Sequence, residues 1–144
     1  MSVELLTPPA PVATADLGPT VTVRPANAED VPEIFENIGY WAAHGKMLVR
    51  PMQNIFENLR DFYVAEVDGA FAGNGALHIL WGDIAEVRGL AVRPGVQAQG
   101  VGKKLVEACE LEARRLGIPV LFAWTYSVGF FEKCGFTLID KTKD

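Results

Sequence analysis

The sequence predicts an α/β fold, a mixed, mostly antiparallel sheet flanked by helices, in the order β-α-α-β-β-β-α-β-α-β. Three observations lead there. Apolar residues recur at helical spacing over 28–44 and again over about 100–116. Between these helices lie three strand-like runs with no intervening long helix, an antiparallel meander. After the second long helix, "PVLFAWTY" (119–126) is apolar throughout and reads as a strand covered on both faces.

Residues 1–19, "MSVELLTPPAPVATADLGP", hold four prolines and no usable period, and are read as a flexible tail ahead of one folded domain, 20–144. "TVTVRPA" (20–26) is alternating and β-branched, a first strand that Pro25 ends. Asn27 is placed to cap the first helix, with Asp30 three positions on and Pro32 tolerated in the first turn. Val31, Ile34, Phe35, Ile38 and Trp41 then share one face. "GKMLVRP" (45–51) is a loop carrying two cations, and Met52, Ile55, Phe56, Leu59 and Phe62 mark a second, short helix. "DFYVAEV" (61–67), the Asp68-Gly69 turn and "AFAGNGALHIL" (70–80) form a hairpin, followed by "IAEVRGLAV" (84–92) as the third strand of the meander. Val101, Leu105, Ala108, Cys109, Glu112 and Leu116 place a mainly apolar stripe on the long helix, which Gly117 stops. Ser127 opens a short helix, "VGFFEKCG", and "FTLID" (136–140) is a last strand.

Composition narrows the function. A chain of 144 residues is one domain with room for a core, and a net charge of -5 argues against a general nucleic-acid binder. Cys109 and Cys134 show no metal-ligand spacing, so no metal site is expected and both read as thiols in a reducing compartment. No apolar run reaches membrane-spanning length, and no Lys or Arg precedes Arg24, so the cytoplasm is the expected location.

The stretch "VQAQGVGKK" (96–104) carries the most chemistry. A Gly-rich turn opening a helix presents unpaired backbone N–H groups and a partial positive charge to an anion. A P-loop is excluded, because its first glycine position is Gln97 and its hydroxyl position is Lys104. A dinucleotide fingerprint starting at Gly100 fails at its third glycine, which is Leu105, and would belong earlier in a parallel fold. The pattern [QR]-x-x-G-x-[GA] is met by Gln97, Gly100 and Gly102.

With "LAVRP" before that loop, the long helix after it and "FFEKCGF" near the end, residues 20–140 resemble the GNAT acetyltransferase superfamily. The resemblance implies the GNAT fold, with splayed central strands, and acetyl-CoA as co-substrate. The strand ending Leu90-Ala91-Val92 would pair with the pantetheine arm and the acetyl carbonyl. The amides of Gln97, Ala98, Gln99, Gly100, Val101 and Gly102 would wrap the pyrophosphate, with Lys103 or Lys104 assisting. Glu86 would be the base that deprotonates the amine, since an ammonium has no lone pair with which to attack. The competing role for Glu86 is an ion pair with Arg88, two positions along on the same face. Many family members carry a tyrosine in the last helix that protonates the departing thiolate and lies by the cofactor. Phe131 stands there, and Tyr126 and Ser127 are the other candidates.

The early loop, with "AEVRGLAV", "RRLGI" and "LFAWTY", looks like the acetyltransferase domain of N-acetylglutamate synthases, which make the first intermediate of arginine biosynthesis. On that likeness Arg50 would grip a substrate carboxylate, with Lys46 and Arg88 candidates for a second one. The expected partner is therefore a small-molecule amine, an acidic amino acid, and neither nucleic acid nor membrane. Alternatives are another small amine or a protein N-terminus, or a module that binds acyl-CoA without turnover. The resemblance also calls for a further strand after "FTLID", where the chain ends in "KTKD". A second copy could supply it, because an open strand edge invites dimerisation.

Overall fold

The computed structural model describes residues 1–6 and 20–139. In chain order the strands are β1 (Ser2–Leu6), β2 (Val21–Pro25), β3 (Phe62–Val67), β4 (Ala70–Trp81), β5 (Ile84–Val92), β6 (Val120–Trp124) and β7 (Thr137–Ile139). The helices are α1 (Val31–Ala43), α2 (Met52–Glu57), α3 (Val101–Arg115) and α4 (Val128–Lys133). The strands form one sheet in the order β2-β3-β4-β5-β6-β1-β7, antiparallel throughout except for the parallel pair β5–β6.

Local sequence explains the α1 start. The Asn27 side chain accepts from the Glu29 amide, and the Asp30 carboxylate accepts from the Asn27 amide at 2.8 Å. Asp30 is also gripped by Arg24 through two bonds of 2.8 Å each, tying the helix start to β2. Val31, Ile34 and Ile38 then bury one face against Ile55 of α2 and Phe62, Val64 and Ala76 of the sheet. The second helix is shorter than its apolar spacing suggests: it stops at Glu57, a tight turn covers Leu59–Asp61, and Phe62 already belongs to β3. On the opposite face α3 lays Val101, Leu105, Val106, Cys109 and Ala113, all fully buried, over the sheet. Each of the valine and leucine side chains contributes about 1.5–3 kcal/mol of burial.

Residues 2–6 correct the reading of 1–19 as a tail. They form β1, paired with β6 from Ser2↔Trp124 to Leu6↔Val120 and with β7 from Ser2↔Ile139 to Glu4↔Thr137. Val3 is fully buried and Leu5 nearly so, in the cluster beneath α3. Five residues at the start of the chain, ahead of Thr7-Pro8-Pro9, carry too short a pattern to read as a strand, and the strands that pair with them lie more than 100 residues away. The rest of that stretch, 7–19, lies outside the described residues. Because β1 comes from the chain itself, the edge of β6 is closed. The outer strand on that side of the sheet is β7, and the further strand expected after "FTLID" would lie outside the described residues.

One irregularity positions the site. Between Asn74↔Ala91 and Ala76↔Arg88 the register shifts, so one β4 residue faces two residues of β5. Gly89 sits in this bulge with φ +58, a conformation that costs other residues heavily. Alternation is thereby reversed: Ala85 and Val87 face α3, and beyond the bulge so do Leu90 and Val92.

Candidate active site

Parallel pairing of β5 with β6 is limited to Ile84↔Val120, Ala85↔Leu121 and Glu86↔Phe122. Beyond Glu86 the two strands part, and the C-terminal half of β5, including Leu90, Ala91 and Val92, has no strand neighbour on that side among the described residues. The chain then turns at Arg93–Val96, makes a single turn over Gln97–Gln99 and enters α3 through Gly100. Gly100 holds φ +78 as the N-cap of α3 and has no side chain to satisfy the first amides of the helix. Gly102 is buried, and a Cβ there would lie 3.1 Å from the Phe130 ring and 3.5 Å from Val92. The helix start is thus bare backbone at the mouth of the parted strands, which suits a phosphate oxygen. A thioester with a long amide arm and a diphosphate fits this combination, and Gln97, Ala98, Gln99, Gly100, Val101 and Gly102 are the residues that could hold it. Lys103 is exposed at the edge of this opening.

A buried polar network props the bulge. Asn74 is fully buried; its Nδ2 donates to the Gly89 carbonyl at 2.7 Å and its Oδ1 accepts from Asn37 Nδ2 at 2.9 Å. Asn37 Nδ2 also donates to the Ala91 carbonyl, and Trp41 Nε1 to the Val92 carbonyl, each at 2.9 Å. Three carbonyls of the β5 end are therefore held by side chains of α1 and β4. Such groups would cost free energy if buried unpaired, so the network both permits the bulge and makes it rigid. Asn37 Oδ1 is buried, with no hydrogen-bond partner among the described residues.

On the α1/α2 face the sheet gathers the charged residues. Glu86 stands directly opposite His78 of β4, and Arg88 opposite Ala76, whose neighbours are α1 and α2. Glu86 Oε1 accepts from Arg88 Nε at 2.7 Å, with the Glu86 side chain 14% exposed. Both sequence-derived roles for Glu86 therefore coexist in geometry: it is paired, and it lies at the last rung before the strands part. Among the described residues no hydrogen bond engages the terminal nitrogens of Arg88. Arg50 donates through Nε to Asn54 Oδ1 at 2.9 Å, lies over the Phe62 ring at 5.0 Å, and has Nη1 beside Gly89. Burial first, and then the charge of Arg88, lower the Arg50 pKa, with Asp61 and Glu86 opposing. A half-buried cation with one amide partner, no ion pair among the described residues and a second cation nearby can take up a further anion.

The remaining sequence candidates fall elsewhere. Lys46 is exposed, and no hydrogen bond or ion pair among the described residues draws its side chain to the cluster. Phe131 is buried between Phe130 and Phe136, with ring centroids 5.1 and 5.2 Å away, in the core beneath α3. The ring at the helix mouth is its neighbour Phe130. Tyr126 and Ser127 are exposed. Asn37, Asn74, Trp41 and the pair His78–Asp61, whose Nδ1–Oδ2 distance is 3.2 Å, escaped the sequence reading. An asparagine within the small-residue run "AGNGA" was the one available hint, since a polar residue there must find partners.

A bulged strand that parts from its parallel neighbour beside a glycine-opened helix defines an acyl-CoA-dependent transferase. Residues 26–136 match the acetyltransferase (GNAT) family, and the chain belongs to it. It is an N-acetyltransferase with acetyl-CoA as co-substrate. It is 36% identical over 124 residues to an amino-acid acetyltransferase of Mycobacterium tuberculosis, covering 83% of this chain and 70% of that protein. An amino-acid acetyltransferase of Neisseria meningitidis is 32% identical over 118 residues, which span 81% of this chain and only 27% of the longer relative. Among solved structures, a Mycobacterium tuberculosis protein in complex with CoA superposes with a TM-score of 0.79 at 34% identity, covering 83% of this chain and 73% of that one. N-acetylglutamate synthase of Neisseria gonorrhoeae, complexed with coenzyme A and N-acetyl-glutamate, gives 0.80 at 29% identity, covering 87% of this chain and 30% of that one.

Proposed function

We propose that this protein transfers the acetyl group of acetyl-CoA to the α-amino group of an acidic amino acid, L-glutamate foremost, as the acetylating step of arginine biosynthesis in the cytoplasm. The observation that carries the reading is the pair of guanidinium groups flanking Glu86. Among the described residues Arg50 is half-buried, fixed by Asn54 and in no ion pair, and no hydrogen bond engages the terminal nitrogens of Arg88. An amino acid with two carboxylates supplies two anions to two forks, leaving its ammonium near Glu86. The similarity to amino-acid acetyltransferases and to a synthase solved with N-acetyl-glutamate supports the same choice.

In this reading Glu86 accepts the ammonium proton, so that the nitrogen gains the lone pair it attacks with. Arg50 and Arg88 hold the carboxylates and, in doing so, the nitrogen's approach. The parted half of β5 receives the cofactor arm, and the α3 start receives the diphosphate. With Phe131 at the usual acid position, the thiolate leaves without a dedicated donor, which its own acidity allows.

Thiol release from acetyl-CoA against a panel of the common amino acids tests this. Release is expected with glutamate or aspartate, with KM for the amino acid raised about a hundredfold in Arg50→Ala and kcat lowered about a hundredfold in Glu86→Gln. Release with lysine or arginine but with neither acidic residue would overturn the carboxylate clamp. Release with none of them would favour another amine or a binding module.

A further inference from the structure

We infer that His78, oriented by Asp61, carries the proton from Glu86 to solvent in each turnover. The inference rests on the acetyltransferase reading above. The chemistry requires such a carrier. The acceptor enters as an ammonium; its nitrogen forms a bond to the acetyl carbon and the carbon–sulfur bond breaks. The nitrogen gives up two protons: one ends on the departing sulfur, and the other must leave the protein. Glu86 takes that proton, yet its side chain is 14% exposed and one of its oxygens is occupied by Arg88 at 2.7 Å.

Four charged or titratable groups among the described residues bear on the proton's route from Glu86. Arg88 lies on β5, Arg50 ahead of α2, Asp61 in the turn before β3, and His78 on β4. Neither guanidinium can accept a proton, because both stay cationic throughout the working pH range. His78 stands on the rung directly opposite Glu86, where paired Cβ atoms are about 4.5–5.5 Å apart. Its Nδ1 lies 3.2 Å from Asp61 Oδ2, and its side chain remains 30% exposed, so it touches both the cluster and water. With Nδ1–H donated to Asp61, Nε2 keeps a lone pair for the travelling proton, and the carboxylate stabilises the imidazolium that results. Imidazole is the side chain that gains and loses a proton near neutrality without perturbation. A purely structural His78–Asp61 bond would leave kcat and its pH profile alone.

The tests are His78→Ala and His78→Gln, assayed by thiol release at saturating substrates. Expected is a fall in kcat of about tenfold, with both KM values kept within about twofold, and restoration of His78→Ala by added imidazole. A kcat within about twofold of the wild type, or a loss that imidazole does not restore, overturns the proposal. A second measurement does not depend on turnover. The His78 ring is followed by NMR in the wild type and in Glu86→Gln, where replacing the facing carboxylate is expected to move the ring resonances of His78. Identical His78 resonances in both proteins overturn the proposal even if the enzyme is active. Absence of thiol release by the wild type with every amino acid counts instead against the function proposed above, and the NMR comparison then decides for His78.

Discussion

Glu110 offers a direct test of how this fold tolerates a buried charge. It lies on the packed face of α3, 7% exposed, and no hydrogen bond reaches its carboxylate among the described residues. Burial first, and then the like charge of Glu107 one helical turn away, push its pKa from 4.5 up to about 7. The nearby Cys134 thiol is pushed up to about 11, by burial and then by Glu110. The native state therefore holds the Glu110 proton more tightly than the unfolded chain does. As pH rises from 4.5 to about 7, protons leave the unfolded state first and stability falls; above that window the loss is complete. Each tenfold change in acidity is about 1.4 kcal/mol, so the full displacement amounts to about 3 kcal/mol, and partial solvent contact reduces it to about 1–3. Glu110→Gln keeps the shape and removes the charge. Urea unfolding at about pH 5 and about pH 8.5 should show the variant gaining about 1–3 kcal/mol more at the higher pH, some 3–9 °C in Tm. A gain of equal size at both pH values would refute the reasoning, because a packing effect does not titrate.

Two other perturbations follow from the structure. Gly102→Glu places bulk against the Phe130 ring and a negative charge at the α3 start, and should abolish CoA binding in calorimetry; unchanged affinity would remove the phosphate site from this loop. Arg24 holds the Asp30 carboxyl below its ordinary pKa, so this pair stabilises the fold above about pH 4 and ceases to do so as pH falls through the lowered value. Asp30→Asn should cost about 1–3 kcal/mol at neutral pH and flatten the acid limb of the stability curve, and an unaltered acid limb would assign that limb to other carboxylates.

Much of this molecule was legible in the chain because its elements are specified locally. The cap at Asn27, the 3.6-residue stripe of α3, the Asp68-Gly69 turn and the Gly-rich α3 entry each need only neighbours in sequence, and each sits where its pattern predicts. The α2 boundary was less legible, since apolar spacing continues through Leu59 and Phe62 while the backbone has already turned into β3. Glu86, Arg50 and Arg88 were candidates through the family resemblance, and the fold brings all three to one face. Lys46 and Phe131 were candidates on the same grounds. The fold leaves Lys46 exposed and packs Phe131 in the core, because helix phase rather than motif position decides which ring of the Phe130–Phe131 pair meets Gly102.

By itself the sequence determined the class of the sheet, marked the α3 start as a candidate anion site and, through the family resemblance, pointed to the cofactor, all from short-range patterns. Only the tertiary structure decided that residues 2–6 complete the sheet between β6 and β7, that Asn37 and Asn74 hold the β5 bulge, and that His78 faces Glu86. These are contacts between residues 8 to more than 100 positions apart, with strengths set by burial. Burial belongs to the folded chain and is not readable in any window of it.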